Sequence, residues 1–331
     1  MSTEPLGQIR WGVLGYARIA REHVMPAIQR SSNSVLAALA SRDEAKFADA
    51  RARFGELTFH HRYEDLIGDP EIDAIYIPLP NALHCEWTVQ AIQAGKHVLC
   101  EKPIGLTAEE CAQMIAAARK RGVKLMEAFM YRYTARTRQV IEILRSGVLG
   151  EVKSVSSTFR FLLSNPTSIK LRPEVGGGAL YDVGCYPVNF IGLVADLASG
   201  VRAGAAVPES VSGECLRSGG VDMAFSGVIK YPFGLLASVS CGFDAQGRMY
   251  SEIVGTRGVL EIPDTYLNAA GSLSLWTGAE RKEISVAESD RYRAEIEDFA
   301  GSILENRLPA FPLEETQRNA TVIDRLIAAA G

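Results

Sequence analysis

The stretch Ile9-Arg-Trp-Gly-Val-Leu-Gly-Tyr-Ala-Arg-Ile-Ala20 decides the fold. Residues 9–14 form a short apolar run that reads as a buried strand, and glycine follows it. Residues 18–30 then carry apolar positions at helical spacing. Between them, Gly15-x-Ala17-x-x-Ala20 follows the dinucleotide-binding pattern G-x-G-x-x-G/A, with alanine in place of the second glycine. Small residues let the chain turn tightly and bring its backbone against a pyrophosphate. The helix N-terminus adds free N–H groups and a partial positive charge. Gly15, Tyr16, Ala17, Arg18 and Ile19 are therefore expected to hold the phosphates of a dinucleotide.

Outward from this turn, strand and helix alternate. Apolar runs at 35–40, 73–77, 97–100 and 124–127 read as buried strands. Residues 43–54, 82–94 and 107–121 read as the helices between them, the last opening on a capping box, Thr107-x-x-Glu110. Strands joined through single helices predict an α/β fold, a doubly wound parallel Rossmann sheet over residues 1–126. Beyond residue 150 the rhythm changes. Residues 152–160, 223–230, 235–243, 251–254 and 259–262 read as strands, with a tight turn at Gly255-Thr-Arg-Gly258. This predicts a C-terminal α+β domain over 127–331 with a predominantly antiparallel sheet, closed by helices at 292–306 and 314–330. Met223, Phe225, Gly227 and Ile229 share one face of that sheet. The other face needs cover, and contact between two copies of the sheet predicts a homodimer or homotetramer.

Composition narrows the function. At 331 residues the chain is long enough for two cores, and 47% hydrophobic with 22% charged residues is the balance of a globular protein. Thirty-five basic against 39 acidic residues give net charge −4, so no global positive field marks a nucleic-acid partner. No apolar run is long enough to span a membrane. Residues 1–8 lack the basic and apolar regions of a signal peptide. The six cysteines form no C-x-x-C pair and read as reduced thiols of a cytoplasmic protein. The five histidines show no metal-binding spacing, so no metal site is expected.

Four further stretches carry chemistry. An NAD site usually has a carboxylate at the end of the second strand, to hold the ribose 2′-hydroxyl. Here Ser41 and Arg42 stand there, with Lys46 one helical turn on. A serine and two cations suit a 2′-phosphate, which predicts NADPH/NADP+; the alternative is that Arg42 and Lys46 are solvated surface charges. Leu79, Pro80, Asn81 and His84 follow the strand at 73–77, and Glu101-Lys102-Pro103 ends the strand at 97–100. Ligands of open α/β sheets bind beyond such carboxyl ends, so these residues are expected at the cofactor and Lys102 near its nicotinamide. Downstream, in Gly176-Gly-Gly-Ala-Leu-Tyr-Asp-Val-Gly-Cys-Tyr-Pro-Val-Asn189, Asp182, Tyr186 and Asn189 fall at helical spacings. A polar stripe in an apolar helix lines a cavity or a satisfied network.

The order of glycine turn, N-x-x-H, EKP and GGGALYDVGCYPVN resembles the Gfo/Idh/MocA family of NAD(P)-dependent oxidoreductases over essentially the whole chain. The resemblance implies a Rossmann domain plus an open-faced sheet. It also implies that Lys102 and Tyr186 act at a substrate carbonyl or hydroxyl; Asp182 would either oppose a lowering of the lysine pKa or orient the lysine. Either Lys102 or Tyr186 would be the final proton donor, the lysine being favoured. Within the family the chain looks most like the sugar 3-ketoreductases of deoxysugar biosynthesis. That implies reduction by NADPH of a dTDP-linked 3,4-diketo-2,6-dideoxyhexose, a nucleotide-sugar substrate. Arg160, Lys170, Arg172, Tyr250 and Tyr266 are then candidates for the dTDP arm, beside Lys102, Asp182, Tyr186 and Asn189 at the sugar. The alternatives are an NADP-dependent sugar or dihydrodiol dehydrogenase working oxidatively, and a cofactor-sensing regulator without catalysis.

Overall fold

The computed structural model describes residues 7–267 and 269–331. Residues 1–6, part of the stretch read as lacking a signal peptide, lie outside them. The chain folds as two compact units. The first comprises the chain through Gly105, Glu109–Met130 and Arg291–Leu313; the second comprises Leu106–Ala108, Tyr131–Asp290 and Glu314–Gly331.

The first unit is built on six parallel strands: β1 (Ile9–Leu14), β2 (Ser34–Ala40), β3 (Thr58–His60), β4 (Ala74–Ile77), β5 (His97–Glu101) and β6 (Leu125–Ala128). Their order is β3-β2-β1-β4-β5-β6, the Rossmann order. The strand order reverses between β1 and β4, which opens a crevice beyond their carboxyl ends. Strands covered on both faces are apolar throughout, and Ala74–Ile77 is wholly buried. Trp11 sits in this core, its indole donating to Ser34 Oγ at 3.1 Å. Its ring lies 5.7 Å from Phe299, on the helix Arg291–Leu304. The chain thus returns to its first unit near its end.

The second unit is built on eight strands: β7 (Val152–Arg160), β8 (Ser210–Ser218), β9 (Val221–Lys230), β10 (Leu236–Gly242), β11 (Arg248–Gly255), β12 (Gly258–Pro263), β13 (Gly271–Thr277) and β14 (Glu280–Val286). Their order is β14-β13-β12-β11-β7-β10-β9-β8. Among the described residues of this sheet, only β7 and β10 pair in parallel. One face carries Val155, Phe225, Ile229, Val239, Cys241 and Ile253, all buried, and the helix Cys185–Ser199 packs against it. The other presents Ser212, Ser226, Val228, Ser238, Ser240, Ser154, Ser156 and Thr158 in cross-strand register. β8, β13 and β14 were not anticipated, because strands whose outward positions are serine, glutamate and arginine carry little hydrophobic signal. β3 has only three residues, too few for any period to register.

Candidate active site

The glycine turn lies directly beyond β1. Gly15 has φ +93°, and its N–H donates to the Ala40 carbonyl at 2.9 Å. A Cβ there would lie 3.1 Å from Leu79 Cδ2 and 3.4 Å from the Tyr63 hydroxyl. Left-handed backbone and close approach together require glycine. Beyond Ala17, the helix opens with a π turn, Ala20–Val24, before Met25–Arg30. A helix's first N–H groups have no acceptor within it. This cradle, small-walled and facing the crevice between β1 and β4, fits a dinucleotide pyrophosphate.

The expected cofactor residues differ in what their side chains offer. Tyr16 turns inward and donates to Asp49 at 2.7 Å, and burial with that carboxylate pushes its phenol well above the usual range. Only its backbone is left for a phosphate. Arg18 is exposed and Ile19 half-buried. Ser41 is buried, and its Oγ accepts from the Asp43 N–H at 3.2 Å. Lys46 pairs with Asp43 at 3.9 Å, and Arg42 is exposed, its charge reaching the Tyr63 phenol. No acidic side chain stands at the Ser41 or Arg42 position itself. Tyr63 borders the turn, stacked edge-on to Trp87 at 5.0 Å; nothing in its local sequence marks it.

The EKP segment is pinned from three sides within the first unit. Glu101 Oε1 accepts from the Tyr76 hydroxyl at 2.6 Å. Ile104 N–H donates to Glu127 Oε1 at 2.9 Å. His84 stands with Nδ1 2.8 Å from the Pro103 carbonyl and Nε2 2.8 Å from the Leu79 carbonyl. Burial, more than the charge of Lys102, pushes the His84 pKa down. His84 was expected at the cofactor. It is instead fully buried, and both ring nitrogens face carbonyls, so it ties the segment after β4 to the segment after β5. Leu79, Pro80 and Asn81 lie half-buried on the former. Behind Glu101, Glu295 is buried, and burial together with the Glu101 charge raises its carboxyl well above the usual range.

In the second unit, Gly178 has φ +122°, and a Cβ there would fall 2.2 Å from Asp222 Oδ1. Asp222 Oδ2 accepts the Leu180 N–H at 2.7 Å, which starts the helix. This helix too opens with a π turn, Leu180–Gly184, before Cys185–Ser199. Such turns are rare and concentrate at functional sites. Here one begins at Ala20, where the glycine pattern ends, and the other falls within the Gly176–Asn189 stretch. Asp182 lies in the turn and forms an ion pair with Lys170. Tyr186 is buried among rings, with centroids 5.3 Å to Phe159, 5.4 Å to Tyr266 and 5.9 Å to Tyr131. Asn189, expected at the substrate, is 1% exposed, and its Oδ1 accepts from the Tyr131 hydroxyl at 2.5 Å and from Arg132 Nη1 at 3.3 Å.

Two expected dTDP contacts, Arg160 and Tyr250, lie on the sheet face away from Tyr186. Strand residues alternate between faces. Ser157 and Phe159 lie on the helix-covered face, whereas Arg160 and Tyr250 lie on the other. Arg160 donates to Ser240 Oγ at 2.8 Å, and the Arg248 guanidinium covers Tyr250 at 4.6 Å. Arg172 is exposed and bonds Glu174 at 2.7 Å. Tyr266 is fully buried and hydrogen-bonded to Ser157, so it is a wall of the ring cluster. Tyr76, Glu295, Tyr131, Arg132 and Glu315 were missed. Arg132 and Glu315, 183 positions apart, left no sequence signal.

Comparison with known proteins agrees with this architecture. Residues 9–129 match the oxidoreductase family with a NAD-binding Rossmann fold, Gfo/Idh/MocA, and residues 137–261 match the Gfo/Idh/MocA C-terminal domain. The chain belongs to the Gfo/Idh/MocA oxidoreductases. It is 36% identical to D-xylose 1-dehydrogenase (NADP(+)) 2 of Haloferax volcanii over 324 residues, 97% of each chain. It is 33% identical to the dTDP-3,4-didehydro-2,6-dideoxy-alpha-D-glucose 3-reductase of Saccharopolyspora spinosa over 302 residues, 89% of this chain and 87% of that one. The crystal structure of KijD10, a 3-ketoreductase from Actinomadura kijaniata in complex with NADP and TDP-benzene, matches with a TM-score of 0.90 at 28% identity, covering 98% of both chains. The expected family, the Rossmann domain and the mostly antiparallel second sheet are all borne out. Among the described residues, no helix is long and apolar enough to cross a membrane.

Proposed function

We propose that this protein uses NADPH to reduce the C-3 ketone of a dTDP-linked 3,4-diketo-2,6-dideoxyhexose. The observation that carries the cofactor half is the end of β2. Ser41-Arg42 leaves no carboxylate at the position that would repel a 2′-phosphate, and Arg42 is exposed to receive one. Gly15, Tyr16, Ala17, Arg18 and Ile19 hold the pyrophosphate through their backbone, and Leu79, Pro80 and Asn81 border the nicotinamide half. The similarity to 3-ketoreductases over most of the chain supports the substrate half.

When bound, the reduced nicotinamide supplies the hydride. The chain must then meet negative charge on the carbonyl oxygen and deliver a proton to it. We assign both tasks to the Lys102 ammonium. Its segment is immobilised through Glu101, Pro103 and Ile104, which fixes the origin of a flexible side chain. Tyr186 is assigned to orient the sugar, its ring held by its neighbours. The Asp182 carboxylate, paired with Lys170, keeps that loop against the helix start.

A second reading has its own support: similarity to a sugar dehydrogenase spans 97% of the chain. It would run the same residues in the oxidative direction on a free aldose. One assay separates the two. The protein is presented with NADPH and dTDP-3,4-didehydro-2,6-dideoxyglucose, and separately with NADP+ and D-xylose. Turnover of the first pair supports ketoreduction; turnover of the second alone replaces it with aldose oxidation. The open serine face of the second sheet supports a further part of the proposal, that two copies associate through it.

A further inference from the structure

Tyr186 stands in a cluster whose other two phenols are tied down. Tyr131 and Tyr266 are fully buried, 5.2 Å apart and edge to face. The Tyr266 hydroxyl shares a hydrogen bond with Ser157 Oγ. Ser157 lies 2.6 Å from Ser251 Oγ, which also accepts from Thr265 at 2.9 Å. Tyr131 donates to Asn189, which also receives Arg132. Arg132 grips Glu315 through two bonds, 2.6 and 3.2 Å. Glu315 in turn faces Arg318 at 3.6 Å, and Arg318 bonds Asp196.

Stability alone does not account for such a chain. A buried ion pair is commonly no better for stability than apolar residues of the same volume. This one also leaves Asn189 Nδ2 buried with no partner among the described residues. What the network does supply is direction. It fixes the Tyr131 ring by its far end, as the serine and threonine hydroxyls fix Tyr266. With Phe159, those rings set the plane of Tyr186 and so the line along which its hydroxyl points. Productive geometry tolerates only about 10–20° of error.

We propose that Tyr131 is a positioning residue for Tyr186, held in place by Asn189, Arg132 and Glu315, with Tyr266 as the second wall. Asn189 then acts through Tyr131 instead of on the sugar. The inference rests on the reading that Tyr186 serves the substrate.

Tyrosine labelled with 13C at Cζ provides a substrate-free test. The Tyr186 signal is the one lost in Tyr186→Phe. Tyr131→Phe keeps the ring and deletes the bond to Asn189; it should move the Tyr186 signal and shift its alkaline titration midpoint. Glu315→Gln should do the same, and Glu315→Asp should restore part of the wild-type signal. An unmoved Tyr186 signal in folded Tyr131→Phe overturns the proposal, whatever becomes of the Glu315 variants. Kinetics with whichever substrate pair the assay above turns over adds a second reading. Tyr131→Phe should lower kcat about tenfold with KM near wild type, and the loss should vanish when Tyr186 is already phenylalanine. Losses that multiply in the double variant also overturn it. If Tyr186→Phe alone leaves turnover intact while Tyr131→Phe still moves its signal, the positioning stands and the substrate role of Tyr186 falls.

Discussion

Tyr76 on β4 donates its phenolic hydrogen to Glu101 at the end of β5, across 2.6 Å. The phenol is fully buried, and burial first, then Glu101, holds its pKa well above the usual value. Tyr76 is therefore a donor at every physiological pH. Tyr76→Phe should destabilise the protein by about 1–3 kcal/mol, the cost of removing a partner from a part-buried carboxylate. Urea unfolding of the two proteins measures it. A loss below a few tenths of a kcal/mol would show that Glu101 finds another donor.

Lys102→Ala removes both the charge and the proton source assigned to the carbonyl oxygen. It should lower kcat by about 10²–10⁴-fold while cofactor affinity is largely kept. Tyr186→Phe should cost less, since it keeps the ring and loses one hydroxyl. Steady-state kinetics with cofactor binding measured by fluorescence decides it; the reverse ranking would make the tyrosine the acid.

Under the proposed function, cofactor choice falls to Arg42. Arg42→Ala should weaken NADPH by about 1.5–3 kcal/mol, the worth of a charge-assisted contact, and leave NADH nearly unchanged. Titration of nucleotide fluorescence reads both affinities. Equal affinity of the wild type for the two nucleotides would remove the NADP assignment.

Glu295 makes stability depend on pH in a predictable direction. Its folded pKa is raised, by burial first and then by Glu101. The folded protein keeps this proton after the unfolded chain has released it near pH ~4.3. Its contribution is therefore fully present below that pH and is lost as pH rises toward the folded pKa. Glu295→Gln, neutral at every pH, should gain thermal stability relative to wild type as pH climbs from about 5 to 9. Melting curves across that range test this. A difference that is flat with pH would mean that Glu295 titrates normally.

The uncovered face of the second sheet carries Ser156, Ser238 and Ser240 in register, flanked by exposed Leu236 and Val228. Short side chains let two flat sheets approach closely. Ser156→Arg puts a long charged side chain into the middle of that face and should shift the mass in analytical ultracentrifugation from dimer or tetramer to monomer. A wild type already monomeric at micromolar concentration would refute sheet-to-sheet association.

Much of the first unit was legible because its signals are local. A parallel sheet covered on both faces needs unbroken apolar strands, and a phosphate turn needs small residues, so residues 9–20 announce both. The EKP and GGG motifs were equally plain. The roles of particular side chains were less so. His84 and Asn189 were placed at ligands because polar residues in apolar surroundings read that way; in the fold their polar atoms meet carbonyls and a phenol instead. Arg160 and Tyr250 were grouped with Tyr186 by chemistry, and strand alternation puts them on the opposite face.

By itself, then, the sequence determined the family, the doubly wound parallel sheet and the mostly antiparallel second sheet, because each rests on spacing within a few turns or strands. Only the tertiary structure decided that Arg291–Leu313 joins the first unit, that Glu295 lies behind Glu101, and that Glu315 reaches Tyr131 through Arg132 and Asn189. Arg132 and Glu315 are 183 positions apart, and Glu295 and Glu101 almost 200. Such contacts form because a buried charge or phenol must find a partner wherever the packed chain supplies one, and the local pattern of residues carries no trace of where that is.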